Sequence, residues 1–400
     1  MNTQQLLQLR TEKGLQIAKT GKVMLSGDKW LVPSQTSDRQ YHVTLGLDKK
    51  TCSCSDFEER HLTCKHIFAV QITITKSVDK QGNVTITKVE KVTYSQNWPA
   101  YDKAQITEKQ RFMELLSDLL NNVGDIPNHI DRPKISKRDM IFASALKVYT
   151  QFSLRRFMSD LKEAQEKSFV VNAPCFASIG HFMQDEELTP ILKSLIALSS
   201  LPLKTVETKF AIDSSGFRTT RFTQYCTERH GLGMKHAWLK AHICVGVHTN
   251  IITAVEITDE HVNDTVKFTA LANETYENGF KVTELSADKG YASKSNYEFV
   301  DNIGGTAYIP FKQYKGQFAV VPQGHGIWRK MYGKFIFQQE EFMKHYHLRS
   351  NVESTFFMIK SKFNDILKSK SRTAQVNELL LKILCHNIVV INGEIKTMQL

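Results

Sequence analysis

Tyr346, Arg349, Glu353 and Lys360 are spaced Y-x2-R-x3-E-x6-K. At about 100° per residue, a single helix would gather all four within roughly 60° of arc. One face would then carry a carboxylate, two cations and a phenol. Upstream, Asp213 closes the apolar strand Lys209-Phe-Ala-Ile-Asp213, and Asp288 closes Thr283-Glu-Leu-Ser-Ala-Asp288. Two strand-end aspartates and a helix glutamate form the donor set of a two-metal phosphoryl-transfer site. Such carboxylates hold two hard cations, one activating the attacking oxygen and one stabilising the leaving oxygen. Taken singly, each has a plainer reading. Asp213 before Ser-Ser-Gly and Asp288 before Lys-Gly suit turns, and Arg349 with Glu353 is an i,i+4 pair of the kind common on solvated helices.

A second constellation is Cys52-x-Cys54-x9-Cys64-x-His66. Three thiolates and an imidazole at this spacing suit a closed tetrahedral zinc site of structural type. His61 is an alternative to His66. Cys175, Cys226, Cys244 and Cys385 stand alone and read as buried or inert thiols.

A chain of 400 residues fits two or three domains, and its 41% apolar residues suffice for a core. A net charge of +11 and a pI near 9.1 point to a polyanionic partner. Nucleic acid fits better than a membrane, because no apolar run approaches the roughly 18–20 residues of a spanning helix. The N-terminus lacks a signal-peptide pattern. A cytoplasmic, nucleoid-associated protein without structural disulfides is expected.

Residues 1–95 read as a small β-rich zinc module. Within it a helix is expected over Leu6–Ala18, strands over Lys29–Pro33, Tyr41–Leu45 and Val84–Val92, and a helix start at Ile67–Val70. Residues 96–202 read as helical. Thr107-x-x-Gln110 forms a capping-box pattern, Ser136 and Ser153 are N-cap candidates, and Thr189-Pro190 opens a helix at its first position. From 203 to 400, strands ending at Asp213, over Ala237–Val247 and over Ile251–Ile257 precede a helix from Asp264 to Glu277. The Asp288 strand, Thr306–Phe311, the Glu353 helix and a closing helix over Val376–Ile391 follow. Residues 312–341 read as a small insertion. This order is that of an α/β, ribonuclease-H-like core, with a mixed sheet and helices. The helical segment and the zinc module precede it.

The Y-x2-R-x3-E-x6-K set resembles the signature of one group of DDE transposases from prokaryotic insertion sequences. Asp213-Ser-Ser-Gly-Phe217, Trp238-Leu-Lys240-Ala-His242, His261-Val-Asn-Asp264, Asp288-Lys-Gly-Tyr291, Tyr308-Ile-Pro310 and Asn351-Val-Glu353-Ser354 are similar to other motifs of that group. The cysteine cluster, with Trp30 before it, resembles a SWIM-type zinc finger. The resemblance implies that Asp213, Asp288 and Glu353 bind two Mg²⁺ or Mn²⁺ ions, cleave DNA at element ends and direct the freed 3′-hydroxyl at target DNA. It also implies phosphate contacts for Tyr346, Arg349 and Lys360. One structural Zn²⁺ is expected at the cysteine cluster. Two other readings stay open: a DNA-binding protein that no longer cuts, and a metal-dependent nuclease that does not join.

Further phosphate contacts are expected along the basic run Lys362, Lys368, Lys370 and Arg372. Lys240 and His242, which share a strand face, are also candidates. So are Arg155 and Arg156, at the start of the second helix of a helix-turn-helix candidate over 136–166, for which ordinary helical packing is the competing reading. Trp328 is read as a core residue. Partners are double-stranded DNA at transposon ends and target, and further copies of the chain assembled on it.

Overall fold

The computed structural model describes residues 10, 12–14, 16–17, 23–26, 29–35, 39–45, 50–60, 62–74, 77–78, 84–85, 98–121, 135–219, 238–314, 317–318 and 322–398. They fall into two compact units, Met1–Ser95 and Gln96–Leu400. Cys226, His61 and most of the strand expected at Val84–Val92 lie outside the described residues.

In the first unit, strands β1 (Met24–Ser26), β2 (Lys29–Pro33), β3 (Gln40–Leu45) and β4 (Lys50–Cys52) form an antiparallel meander in sequence order. Helices α1 (Ser55–Arg60) and α2 (Lys65–Ile74) follow, then the short pair β5 (Ser77–Val78) and β6 (Val84–Thr85). Val32 and Val43 turn inward from β2 and β3 onto Ile67 and Val70 of α2. Among the described residues this cluster is small, the situation in which small units add a structural metal to apolar burial.

The second unit opens with helices α3 (Trp98–Ile106), α4 (Glu108–Asn121), α5 (Lys137–Thr150), α6 (Leu154–Glu166), α7 (Phe176–Phe182) and α8 (Leu188–Ser200). Ser136 caps α5 as expected, its Oγ accepting the Asp139 N–H at 3.1 Å. The Thr107 capping box does not form. Because α3 is already helical up to Ile106, the Thr107 hydroxyl donates back to the Lys103 carbonyl at 2.9 Å. Helix α8 starts at Leu188, so Pro190 falls within its first turn rather than at its first position. Helix α5 is buried along almost its whole length, which makes it a core helix and not the outer helix of a DNA-reading pair.

Strands β7 (Lys209–Arg218), β8 (Trp238–Gly246) and β9 (Ile252–Asp259) come next, then α9 (Thr265–Glu277), β10 (Glu284–Ala287), α10 (Lys294–Asn302) and β11 (Thr306–Tyr308). The five strands are ordered β11-β10-β7-β8-β9. The first three are mutually parallel, and β8 and β9 are antiparallel additions. This is the ribonuclease-H-like order. After the hairpin β12 (Gln313–Tyr314) and β13 (Gln317–Phe318), helices α11 (Ile327–Phe337), α12 (Gln339–Tyr346), α13 (Ser350–Phe363) and α14 (Arg372–Met398) complete the unit.

Alternation along the strands divides the core between two faces. Ala211, Phe217, Ala241 and Ile243 pack with α4–α8, α13 and α14. Phe210, Ile212, Cys244 and Leu285 pack with α9–α12, where Trp328 lies against Tyr297 and Phe311. The helices before residue 203 therefore share a core with the sheet that follows. Glycine at position 216 admits the Trp238 ring, which would lie 3.0 Å from a Cβ there. Helix α14 corrects one reading. It is long and apolar enough to cross a membrane, yet 83% of its apolar window is buried inside the protein, as in a core helix.

Two histidines lie in this core. His242 on β8 is fully buried, its Nε2 2.8 Å from the Thr258 hydroxyl, and His386 on α14 places Nε2 2.9 Å from the Asn250 carbonyl. Burial lowers each from 6.5 to about 4. The unfolded chain takes up these protons near pH 6.5 and the folded chain only near pH 4. The stability they contribute above pH 6.5 is thus lost as pH falls through that window, about 2 kcal/mol each by pH 5. Denaturant melts at pH 7 and pH 5 should show this loss, and His386→Gln should remove about half of it.

Candidate active site and metal centre

Strand β7 carries Asp213 in its middle, not at its end. Ser214 to Arg218 continue the pairing with β8, from Ser214 opposite His242 to Arg218 opposite Trp238. Polar residues that read as a turn are thus held in the sheet. Strand β10 ends at Ala287 opposite Ile212, so Asp288 leaves the sheet beside Asp213. It precedes a 3-10 turn over Lys289–Tyr291, closed by a Tyr291 N–H to Asp288 carbonyl bond of 2.9 Å.

The third carboxylate arrives from α13. The expected single helical face is broken: Tyr346 ends α12, His347–Arg349 form a 3-10 turn, and Glu353 lies in the first turn of α13. The tighter turn nevertheless keeps Arg349 against its neighbours. Its guanidinium lies 5.8 Å from the Tyr346 ring centroid, donates to Asp213 Oδ2 at 2.7 Å and donates to Glu353 Oε1 at 2.5 Å. The Ser214 N–H holds the other oxygen of Asp213 at 2.8 Å. Burial raises the Asp213 carboxyl above its usual range, and the charges of Asp288 and Glu353 push the same way, against Arg349. Two carboxylates therefore share one guanidinium, and the charge of the third, Asp288, acts on Asp213. That excess of negative oxygen donors fits hard divalent cations. Lys360 extends to the Ser215 hydroxyl at 2.7 Å and lies over the Phe217 ring. A cavity of about 540 Å³ beside Asp288 is walled by Phe311, Phe335, Met343 and Tyr346.

In the first unit, Cys52 ends β4, Cys54 precedes α1, and Cys64 precedes α2, whose second residue is His66. Their ligand atoms all lie within 4.8 Å of one another, and all four residues are buried. His66 Nδ1 is 3.8 Å from Cys52 Sγ and 3.9 Å from Cys64 Sγ, while Nε2 is buried with no partner among the described residues. Tyr41 stacks on the imidazole at 4.3 Å. Hydrogen bonding among the sulfurs pushes the Cys52 thiol up and pulls Cys64 down. Without a cation such a cluster resists full ionisation. Three soft sulfurs and one imidazole nitrogen at tetrahedral spacing fit a structural zinc, with Nδ1 as the histidine ligand.

Residues 204–388 match the family model of the transposase DDE domain. The match takes in Asp213, Asp288, Arg349 and Glu353. Residues 41–73, which include all four zinc-type ligands, match the SWIM zinc finger. No solved structure matches the chain.

Several residues expected to meet DNA are committed to the protein itself. His242 is fully buried beneath β9 contacts. Lys240 is held by Asp264 at 2.9 Å, so Asp264 sits at the N-cap of α9 without its side chain capping the helix. Lys362 donates to both oxygens of Glu108, at 2.6 and 2.7 Å, and Arg372 pairs with Asp259. Lys368 donates to the Gln151 carbonyl at 2.6 Å. Arg155 lies over the Phe176 ring, while Arg156 and Lys370 are exposed. The reading of sequence missed Ser215 as the seat of Lys360. It also missed the bidentate pair between Arg218 and Asp365 that ties β7 to the exit of α13. The Ser-Ser-Gly after Asp213 was the available signal for the first; the second had none.

Proposed function

We propose that this chain is a transposase that cleaves DNA at the ends of an element and transfers the 3′-hydroxyl strand to target DNA. Asp213, Asp288 and Glu353 would hold two Mg²⁺ or Mn²⁺ ions. The observation carrying this reading is the meeting of these three carboxylates, from two adjacent parallel strands and one helix, inside a domain of the DDE family. Bound cations would supply an activated attacking oxygen and charge neutralisation at the reacting phosphate.

The protein's own groups position the strand and stabilise charge. Arg349 lies between two of the carboxylates, where it would meet the reacting phosphate. Tyr346 and Lys360 flank it. Residues 1–95 would serve as a zinc-stabilised recognition module and 96–202 as helical support for DNA, with pairs of ends joined by at least two copies of the chain. A cytoplasmic site of action at the nucleoid fits this role.

Arg349 satisfies Asp213 and Glu353 when DNA is absent. Arg349→Met should therefore raise the Mn²⁺ affinity of the DNA-free protein by about tenfold, the scale of one charge-assisted hydrogen bond. Titration calorimetry would read it. Equal affinities would mean that the guanidinium does not compete for these oxygens.

Strand transfer is tested by mixing the protein with a pre-cut end duplex bearing a free 3′-hydroxyl and supercoiled plasmid, in Mg²⁺ or Mn²⁺. Joined product is expected. Cutting without joining would favour a nuclease, and binding with neither would favour a non-catalytic DNA-binding protein.

A further inference from the structure

A cavity of about 580 Å³ lies between the start of α6, helix α7 and the 368–371 segment that links α13 to α14. Lys147 of α5 lines it, is only 8% exposed, and its side-chain nitrogen makes no hydrogen bond or ion pair among the described residues. Its neighbours Ala145, Leu146 and Val148 are buried apolar residues. The stem is thus buried among apolar neighbours while the residue lines the cavity, which brings its charge to that space. Ser153 and Leu154 also line the cavity, and α6 begins there with Ser153 at its N-cap and no side-chain cap bond. The first N–H groups and the positive end of the α6 dipole therefore meet the same space.

Lys368 and Lys370 stand on the opposite wall, and no carboxylate lines it. Glu378, behind that wall, is taken by the Lys368 and Ser369 N–H groups. Phe152, 48% exposed, forms an apolar lip. The bond from Lys368 to the Gln151 carbonyl fixes the rim in place.

We propose that this pocket binds a phosphate of a DNA strand, with Lys147 at its base and the adjoining nucleoside against Phe152. The proposal rests on the transposase reading.

The test is Lys147→Met, which keeps the length and burial of the side chain. Binding to a 30-base-pair duplex of arbitrary sequence is followed by fluorescence anisotropy over a salt series. The variant should bind several-fold more weakly at low salt, and its log–log salt slope should fall by about 0.9, the loss of one phosphate contact. Should the variant not fold, acetylation of Lys147 in the wild type, mapped by mass spectrometry, replaces it. Duplex DNA should protect the amine. An unchanged slope, or no protection, overturns the site while a wild type that still binds DNA leaves the transposase reading standing. Protection by inorganic phosphate but not by duplex overturns the DNA assignment in favour of a small anion. A wild type that binds no duplex sinks both.

Discussion

Asp288→Asn is expected to lower DNA cleavage by at least about a thousandfold while leaving the melting temperature and DNA affinity nearly unchanged. The side chain leaves the sheet beside Asp213 and adds negative charge to a buried carboxylate that already resists ionisation. Replacing it with an amide removes a metal donor and relieves that repulsion, so the fold does not suffer. Losing one ligand of a catalytic cation withdraws several kcal/mol of transition-state stabilisation, and each 1.4 kcal/mol is tenfold in rate. Asp288→Cys gives the sharper form of the test. A thiolate is a poor ligand for Mg²⁺ and a better one for Mn²⁺, so cleavage should return in part with Mn²⁺ alone. Equal activity of wild type and Asp288→Asn would remove Asp288 from the site.

Stripping zinc from the full chain should unfold the Met1–Ser95 unit and leave Gln96–Leu400 with its own cooperative melt. Among its described residues the small unit has few large buried side chains, among them Ile17, Val32, Val43, Ile67 and Val70. At about 1.5–3 kcal/mol per buried aliphatic, these do not outweigh the entropy of ordering the unit. A structural zinc adds on the order of 10 kcal/mol. Cys64→Ser should act as the chelator does, because it leaves two sulfurs and an imidazole buried around an incomplete tetrahedron. Limited proteolysis reads the outcome, with new cleavage expected between β2 and α2. Unchanged protection in metal-free protein would mean that the cluster is held by packing alone.

Much of the catalytic-domain fold was legible because its strands are apolar runs of the right length and its helices carry clear starts. The end of β10 at Asp288 could be read directly, since Lys-Gly-Tyr breaks the run. The middle of β7 could not. Ser214, Ser215 and Gly216 have turn-like types, and only pairing with β8 keeps them extended. The Tyr346–Lys360 set was found from spacing, although its helix is interrupted by a 3-10 turn that no local residue announces.

The basic residues were hardest to place, because a sequence shows charges without their partners. Glu108 neutralises Lys362 from 254 positions away, and Asp259 takes up Arg372. His242 shares a strand with Lys240 but is sealed under Thr258. Lys147 was hidden for the opposite reason: within Ser-Ala-Leu-Lys-Val it passes for a surface residue between apolar ones.

The most direct test of the central claim uses duplexes carrying the DNA that flanks this reading frame, incubated with wild type and with Asp213→Asn in Mg²⁺ or Mn²⁺. The wild type should leave divalent-metal-dependent nicks with a 3′-hydroxyl at the element's ends, and the variant none. Nicking of equal extent by both proteins would contradict it.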